Sequence, residues 1–151
     1  MSATTEIISG LVKAYWMEIE TVQNYLANSE NLDGVRAQEV KSSLSADVTE
    51  EITHAQSFAR RIKELGGSVP GSMQFKPAQK ELQPPKDSTD VVSVIRGVIA
   101  AEEGAIAHYK KLIKKAEAAD DYVTADLLTT ILANEETHRR QFAGFLKEYE
   151  K

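Results

Sequence analysis

Two copies of a Glu-x-x-His tetrapeptide constrain this chain more than any other feature. They are Glu51-Ile52-Thr53-His54 and Glu135-Glu136-Thr137-His138, and they take two of the three histidines. Another glutamate stands 33 residues before each motif, at Glu18 and Glu102, and seven residues past each of those is a tyrosine, Tyr25 and Tyr109. The whole set repeats at an offset of 84. Four glutamates and two histidines in a duplicated frame require a fold that can be duplicated too.

Helical periodicity supplies it. From about Thr4 to Leu32 the inner stripe reads Leu11, Tyr15, Glu18, Val22, Tyr25, Ser29 and Leu32, in steps of three and four that hold one helix face. Asn31-Leu32-Asp33-Gly34 is a turn signal. A second stripe follows from about Val35 to Leu65: Val40, Leu44, Val48, Glu51, Ala55, Phe58, Ile62 and Leu65, stopped by Gly66-Gly67. The third helix starts at a Ser88-Thr89-Asp90 cap and runs to about Ala119 through Ile95, Ile99, Glu102, Ile106, Tyr109, Ile113 and Ala116. After Asp120-Asp121 the fourth carries Leu128, Leu132, Glu135, His138, Phe142 and Tyr149.

Between the two helical pairs lies a stretch from about Gly66 to Asp87 that holds all four prolines and has no amphipathic period. Some 22 extended residues reach about 70 Å, and a helix of about 30 residues is roughly 45 Å long. The segment can therefore return along a whole bundle. The expectation is an all-α four-helix bundle of two antiparallel hairpins joined by one long crossover.

Each of the four glutamates interrupts an apolar stripe. An ionised carboxylate in a bundle core is costly unless it is paired or bound to metal. Counted back from the two hairpin turns, Glu18, Glu51, Glu102 and Glu135 lie at nearly the same height, so side-by-side hairpins bring them together at mid-bundle. In Glu-x-x-His the histidine lies one turn from its glutamate on the same face, so His54 and His138 join them. Four carboxylates are balanced by two divalent cations. Oxygen donors with one nitrogen per metal suit iron or manganese.

The rest of the composition narrows the class. With 42% hydrophobic and 27% charged residues the chain has the balance of an ordinary globular protein, and 151 residues are enough for one domain with a core. The absence of cysteine excludes disulfides, thiolate zinc sites, iron–sulfur clusters and a rubredoxin-type appendage. A net charge of −5 with no basic block argues against nucleic acid as a partner. No apolar run is long enough to span a membrane, and the N-terminus has no export or transit character, so a cytoplasmic location is expected.

At these residues the chain resembles the bacterioferritin and ferritin branch of the ferritin-like di-iron carboxylate proteins, from about Thr5 to Tyr149 and including the crossover. The resemblance implies one ferritin-like di-iron domain over residues 1–151, with two iron ions as its metals. Glu51 and Glu135 would bridge them, Glu18 and His54 would complete one set, and Glu102 and His138 the other. Tyr25 matches the family's tyrosine beside the site. Bacterioferritins ligate an intersubunit haem through a methionine directly after the first motif glutamate; here that residue is Ile52, so no haem is expected by that route. The fifth helix of 24-subunit ferritins has no counterpart in the 13 residues after His138, which leaves dimers and smaller cages as the expected homo-oligomers.

The implied activity is ferroxidase: oxidation of Fe(II) to Fe(III) by O2 or hydrogen peroxide, in iron storage or detoxification. One rival is a rubrerythrin-like peroxidase, for which Glu50, Glu103 and Glu136 could supply extra carboxylates; each is one residue from a candidate ligand and is expected to face solvent or a subunit contact. Another is a DNA-protecting mini-ferritin, which places its ligands across subunit interfaces. His108 lies off the metal face, and Tyr15 and Trp16 read as packing residues. Gly97 and Gly104 weaken the third helix, and Gly104, close to Glu102, is the candidate for a close approach by a neighbour.

Overall fold

A computed structural model describes residues 2–151. Its long helices are α1 (Ala3–Asn31), α2 (Gln38–Glu64), α3 (Val91–Ala118) and α4 (Tyr122–Tyr149), and no strand occurs among the described residues. The helices start where the sequence supplies caps. The Ser2 hydroxyl accepts from Thr5 N–H, the Asp90 carboxylate from Ser93 N–H and the Asp121 carboxylate from Thr124 N–H, each at 3.1 Å. Such side chains satisfy donors that a helix start leaves open. The α2 end is closed by Gly66 at φ 90°, which turns the chain so that Gly67 N–H reaches the Ile62 carbonyl at 2.9 Å.

α1 packs along α2 and α3 along α4, giving two antiparallel hairpins. Bonds at both ends of the bundle set their relative height. At one end Asp33 N–H donates to the Ser88 carbonyl at 2.9 Å, and Arg36 of the first hairpin stacks over the Tyr149 ring. At the other, Arg61 donates to Thr124 and Asp121, both at 2.9 Å. α1 and α4 therefore run one way and α2 and α3 the other. No helix among the described residues is long and apolar enough to cross a membrane.

The crossover is tied down by a few polar bonds and two short 3₁₀ turns, Ser72–Gln74 and Lys80–Leu82. Glu20, buried on α1, accepts the backbone N–H groups of Ala78 and Gln79 at 2.8–3.0 Å. Asn24 donates to the Gln79 side chain at 3.0 Å, and Asn28 to the Leu82 carbonyl at 2.9 Å. Leu82 itself is driven into the core beside Val94 and Val98. These bonds satisfy backbone groups that an extended segment against a bundle would otherwise bury unpaired.

The apolar core comes in two parts. Ile7, Leu11, Phe58, Ile62, Leu112 and Leu128 anchor the half near the α1 start, while Leu32, Val40, Leu44, Ile95, Val98 and Phe142 anchor the other. Between them lies the layer of glutamates and histidines. The observed helix faces are rotated slightly from the expected stripes. Tyr15, Val22, Ile99, Ile113 and Leu132 are half-buried flanks, while Ala14, Thr21, Val98, Leu112 and Ile131 point inward.

Within the chain, close approach falls at a different glycine from Gly104. The helix glycine pressed against backbone is Gly97, where a Cβ would overlap the Glu81 carbonyl oxygen and come within 3.0 Å of Leu82 Cα. At Gly104 the nearest atom to a Cβ is Met17 Cε at 3.9 Å. Glycine at position 97 is what lets the crossover lie against α3. Gly97→Ala is expected to destabilise the fold by about 1–3 kcal/mol through overpacking. Gly104→Ala should leave stability unchanged or raise it by about 0.5–1 kcal/mol. Thermal unfolding of the two variants beside wild type checks the contrast.

Candidate metal centre

Each helix brings its share of the site from mid-length. α1 carries Glu18, α2 carries Glu51 and His54, α3 carries Glu102, and α4 carries Glu135 and His138. All six are buried, none more than 4% exposed. Their donor atoms form two overlapping sets, Glu18–Glu51–His54–Glu135 and Glu51–Glu102–Glu135–His138, in which the chosen atoms lie within 4.8 Å of one another. Glu51 and Glu135 belong to both.

Within the first set His54 Nδ1 lies 3.0 Å from Glu135 Oε1, 3.5 Å from Glu18 Oε2 and 3.7 Å from Glu51 Oε2. Within the second His138 Nδ1 lies 3.1 Å from Glu51 Oε1 and 3.7 Å from Glu102 Oε1. Both imidazoles thus aim Nδ1 into the middle. These approaches are close, yet they lack the alignment of hydrogen bonds. Glu18 Oε2, Glu51 Oε1, His54 Nδ1, Glu102 Oε2, Glu135 Oε1 and His138 Nδ1 are all buried without a hydrogen-bond partner. Each of the six residues contributes one such atom. Buried polar atoms are ordinarily paired, and six orphans facing a common space fit a pair of cations.

The other atoms of these residues are fixed from outside. Tyr25 donates to Glu102 Oε1 at 2.7 Å, and Tyr109 donates to Glu18 Oε1. Each tyrosine therefore holds the glutamate of the opposite hairpin, leaving its second oxygen free. Tyr25 and its repeat partner Tyr109 thus make matching bonds to the two glutamates. The outer nitrogens of the histidines are engaged as well. His138 Nε2 lies 2.8 Å from Glu50 Oε2, and His54 Nε2 lies 3.0 Å from the Asn134 carboxamide. This corrects the expectation that Glu50 faces away: although half-exposed at 38%, it curls back onto the histidine of α4. Glu103 and Glu136 do face outward. His108 sits off the site, half-buried, with Nε2 2.8 Å from the Gly10 carbonyl oxygen of α1.

The ferritin-like domain family matches residues 8–151. The chain belongs to that family. A bacterioferritin from Desulfovibrio desulfuricans is 28% identical over 133 residues, covering 88% of this chain and 70% of that protein. A bacterial ferritin from Neisseria meningitidis serogroup B is 41% identical over 96 residues, 63% of this chain and 56% of the relative. The match thus spans little more than half of the neisserial protein. Among solved structures, the Desulfovibrio desulfuricans bacterioferritin superposes with a TM-score of 0.81 at 25% identity, over 98% of this chain and 82% of that one. A ferritin-like, diiron-carboxylate protein from Bacillus anthracis superposes at 0.85 and 23% identity, over 97% and 99%, a likeness of fold.

In this ferritin-like chain the electrostatics show what the dry layer does to its own charges. Burial, then repulsion from Glu51, raises the Glu18 carboxyl well above the usual range; burial also leads for Glu102. Burial, followed by the Glu18 charge, pushes Glu135 up to about 8. Burial opposes charge on the histidines too, but the surrounding carboxylates override it and push His54 and His138 up to about 12. Glu51 goes the other way: against the cost of burial, Glu18 and both histidines hold it well below the ordinary carboxylate range. Without metal the site keeps its protons, which any entering cation would have to displace.

A group whose pKa is raised by folding adds stability below its unfolded pKa and loses that stability as pH climbs toward the folded value. Glu135 loses its contribution between 4.5 and about 8, and the histidines lose theirs from 6.5 upward. Glu51, shifted down, already contributes fully above its ordinary range. Metal-free protein is therefore expected to melt at a lower temperature near pH 9 than near pH 6. Excess Mn(II), which competes better as protons leave, should flatten or reverse that trend. Scanning calorimetry across this range, with and without the metal, measures both slopes.

Proposed function

We propose that this protein is a ferroxidase of the ferritin-like class. Its substrates are two Fe(II) ions, taken up by Glu18, Glu51, His54, Glu102, Glu135 and His138, and its oxidant is O2 or hydrogen peroxide. The observation that carries this reading is the set of six unpartnered buried donor atoms, one from each residue, in two sets that share Glu51 and Glu135. Two Fe(II) ions give up one electron each. With peroxide the pair of electrons and two protons yield two waters; with O2 they yield one peroxide.

The chain's own part is electrostatic and geometric. Four carboxylates in a low-dielectric layer balance two divalent ions and favour the trivalent product, since added positive charge is stabilised where carboxylates have no water to screen them. Shared carboxylates hold the two sites close enough for one oxidant to draw from both. Tyr25 and Tyr109 fix the terminal glutamates so that each presents its free oxygen inward. The histidines reach the site as neutral donors once their protons are displaced.

Two rivals fit less well. A complete donor set within one bundle supports a ferritin-type site over one assembled across subunits. Glu50 is engaged with the outer nitrogen of His138, and Glu103 and Glu136 face out, so no fifth carboxylate joins the donor atoms as a rubrerythrin-like peroxidase reading would want.

We further read the chain as one di-iron domain over residues 1–151, free of haem at Ile52, and working in the cytoplasm as a homo-oligomer. Leu26 and Ile52, 49% and 41% exposed on the first hairpin, are apolar surface that a second copy would cover. A bacterioferritin-related thioferritin from Bacteroides fragilis, similar in fold with a TM-score of 0.85 at 25% identity over 97% of this chain and 88% of that one, is dodecameric.

Anaerobic Fe(II) titration of metal-free protein, followed by air or peroxide, is expected to saturate at two irons per chain and then show the absorbance of an oxo-bridged ferric pair. Glu51→Ala removes a shared ligand and should slow oxidation by at least about 100-fold, since misplacing a reacting centre by 1 Å already costs that much. Full oxidation rates in Glu51→Ala would sink the assignment.

A further inference from the structure

The offset of 84 relates every inner member of the site to a chemical equal: Glu18 to Glu102, Glu51 to Glu135, His54 to His138 and Tyr25 to Tyr109. One shell further out the equality fails. Glu50 repeats as Asn134, and Asp47 repeats as Ile131. Glu50, Asp47 and Asn134 are the residues that meet the outer nitrogens of the histidines.

His138 Nε2 faces two carboxylates from α2, Glu50 Oε2 at 2.8 Å and Asp47 Oδ1 at 3.6 Å. His54 Nε2 faces Nδ2 of the neutral Asn134 carboxamide at 3.0 Å, and the nearest carboxylate is Glu50 Oε1 at 3.8 Å. Ile131, the counterpart of Asp47, is buried in the apolar core. For Nδ1 to be free for a metal, the ring proton must sit on Nε2. His138 then donates it to a carboxylate, and His54 to Asn134 Oδ1 once the carboxamide presents its oxygen.

The two hydrogen bonds differ in strength. A charged acceptor makes a bond roughly twice as strong as a neutral one. It also draws the ring proton outward, which leaves more electron density on the inward nitrogen and makes it the better donor to a cation. Asp47, with its side chain 14% exposed, is largely shielded from water and Glu50, at 38%, partly so, and their negative charge reaches the metal positions less screened than a surface charge would. Behind His54 stands only the other oxygen of Glu50, at 3.8 Å, with no carboxylate at hydrogen-bond distance and no counterpart of Asp47.

We infer that the two metal positions are unequal in affinity, and that the one completed by Glu102 and His138 fills before the one completed by Glu18 and His54, with Glu50 and Asn134 as the positioning residues that set the difference. The inference rests on the two-metal reading of the site. It gives the duplicated frame an order of loading. The first ion settles on the strongly backed histidine and partly neutralises the shared carboxylates. The second completes the pair at the weaker position, and only then are two electrons available to one oxidant.

Co(II) is the probe, because it is not oxidised on loading and scatters anomalously. Metal-free full-length protein is titrated by calorimetry, and crystals are loaded at half the saturating amount. Two binding steps about 10- to 100-fold apart are expected, with the anomalous peak at the His138 position dominant. Glu50→Gln should weaken the tighter step by about 10-fold, and Asn134→Asp should strengthen the weaker one and bring the two occupancies close together. Both variants are isosteric, and circular dichroism checks that each folds as wild type does. Equal peaks in wild type, a dominant peak at His54, or an occupancy ratio unmoved by Asn134→Asp would each overturn the inference while leaving the two-metal site intact. Failure of Co(II) to bind at all would overturn both.

Discussion

Placing four carboxylates in the middle of a dry helical bundle is the constraint on which the other features of this structure depend. Each ion removed from water costs on the order of several kcal/mol after relaxation, and the four lie too close together to ionise at once. The chain meets this by confining them to one layer. Above and below it the core is apolar, with Phe58, Leu11 and Leu128 in one half and Phe142, Leu44 and Ile95 in the other. Those halves hold the four helices at fixed height, so the polar layer need contribute nothing to stability and can be shaped for cations. The tyrosines reinforce the separation, since each buries an aromatic ring in the core and sends only its hydroxyl to a glutamate.

A site assembled from two hairpins is only as well formed as their register. One turn of slip, about 5.4 Å, would separate the sets that share Glu51 and Glu135. The crossover helps prevent it. It is pinned to α1 by Glu20, Asn24 and Asn28 and passes over α3 at Gly97, so it links the first hairpin to the second along their length. Arg61 at one end and the Asp33–Ser88 bond at the other complete the frame. A stretch without amphipathic period is in this way as much a part of the site as the helices.

Much of this was legible in the residues, and the failures share a cause. Helix positions, the crossover and the convergence of Glu18, Glu51, His54, Glu102, Glu135 and His138 follow from periodicity and a fixed rise per residue. Periodicity, however, gives a face only to within one side chain. Tyr15 and Val22 lie on the flank of α1 while Ala14 and Thr21 point in, because helices that cross at an angle present a drifting face to their partners. Glu50 was misread for a related reason. Its Cα does lie about 100° off the metal face, but a long flexible side chain reaches across to α4, and that reach depends on what stands opposite. Tyr109 could have been assigned from the repeat alone. The Gly97 contact could not, because it is made with a segment that carries no periodic signal.

On the proposed two-metal reading, protons and metal ions compete for the same six residues, and that competition explains how one site can be both stable when empty and receptive when needed. In the metal-free state burial keeps carboxyls protonated and their neighbours keep both imidazoles charged, so the layer holds few unbalanced charges. Cations entering displace the protons and meet carboxylates whose alternatives are poor, since in a dry layer each ionised oxygen has only metal, tyrosine or histidine to turn to. The same geometry that leaves six atoms unpartnered thus avoids the full cost of burying charge by lending the space to protons. A core filled with leucine would be simpler and more stable, and it would bind nothing. On that reading, what the chain gives up in packing at mid-bundle is the condition for placing two ions side by side.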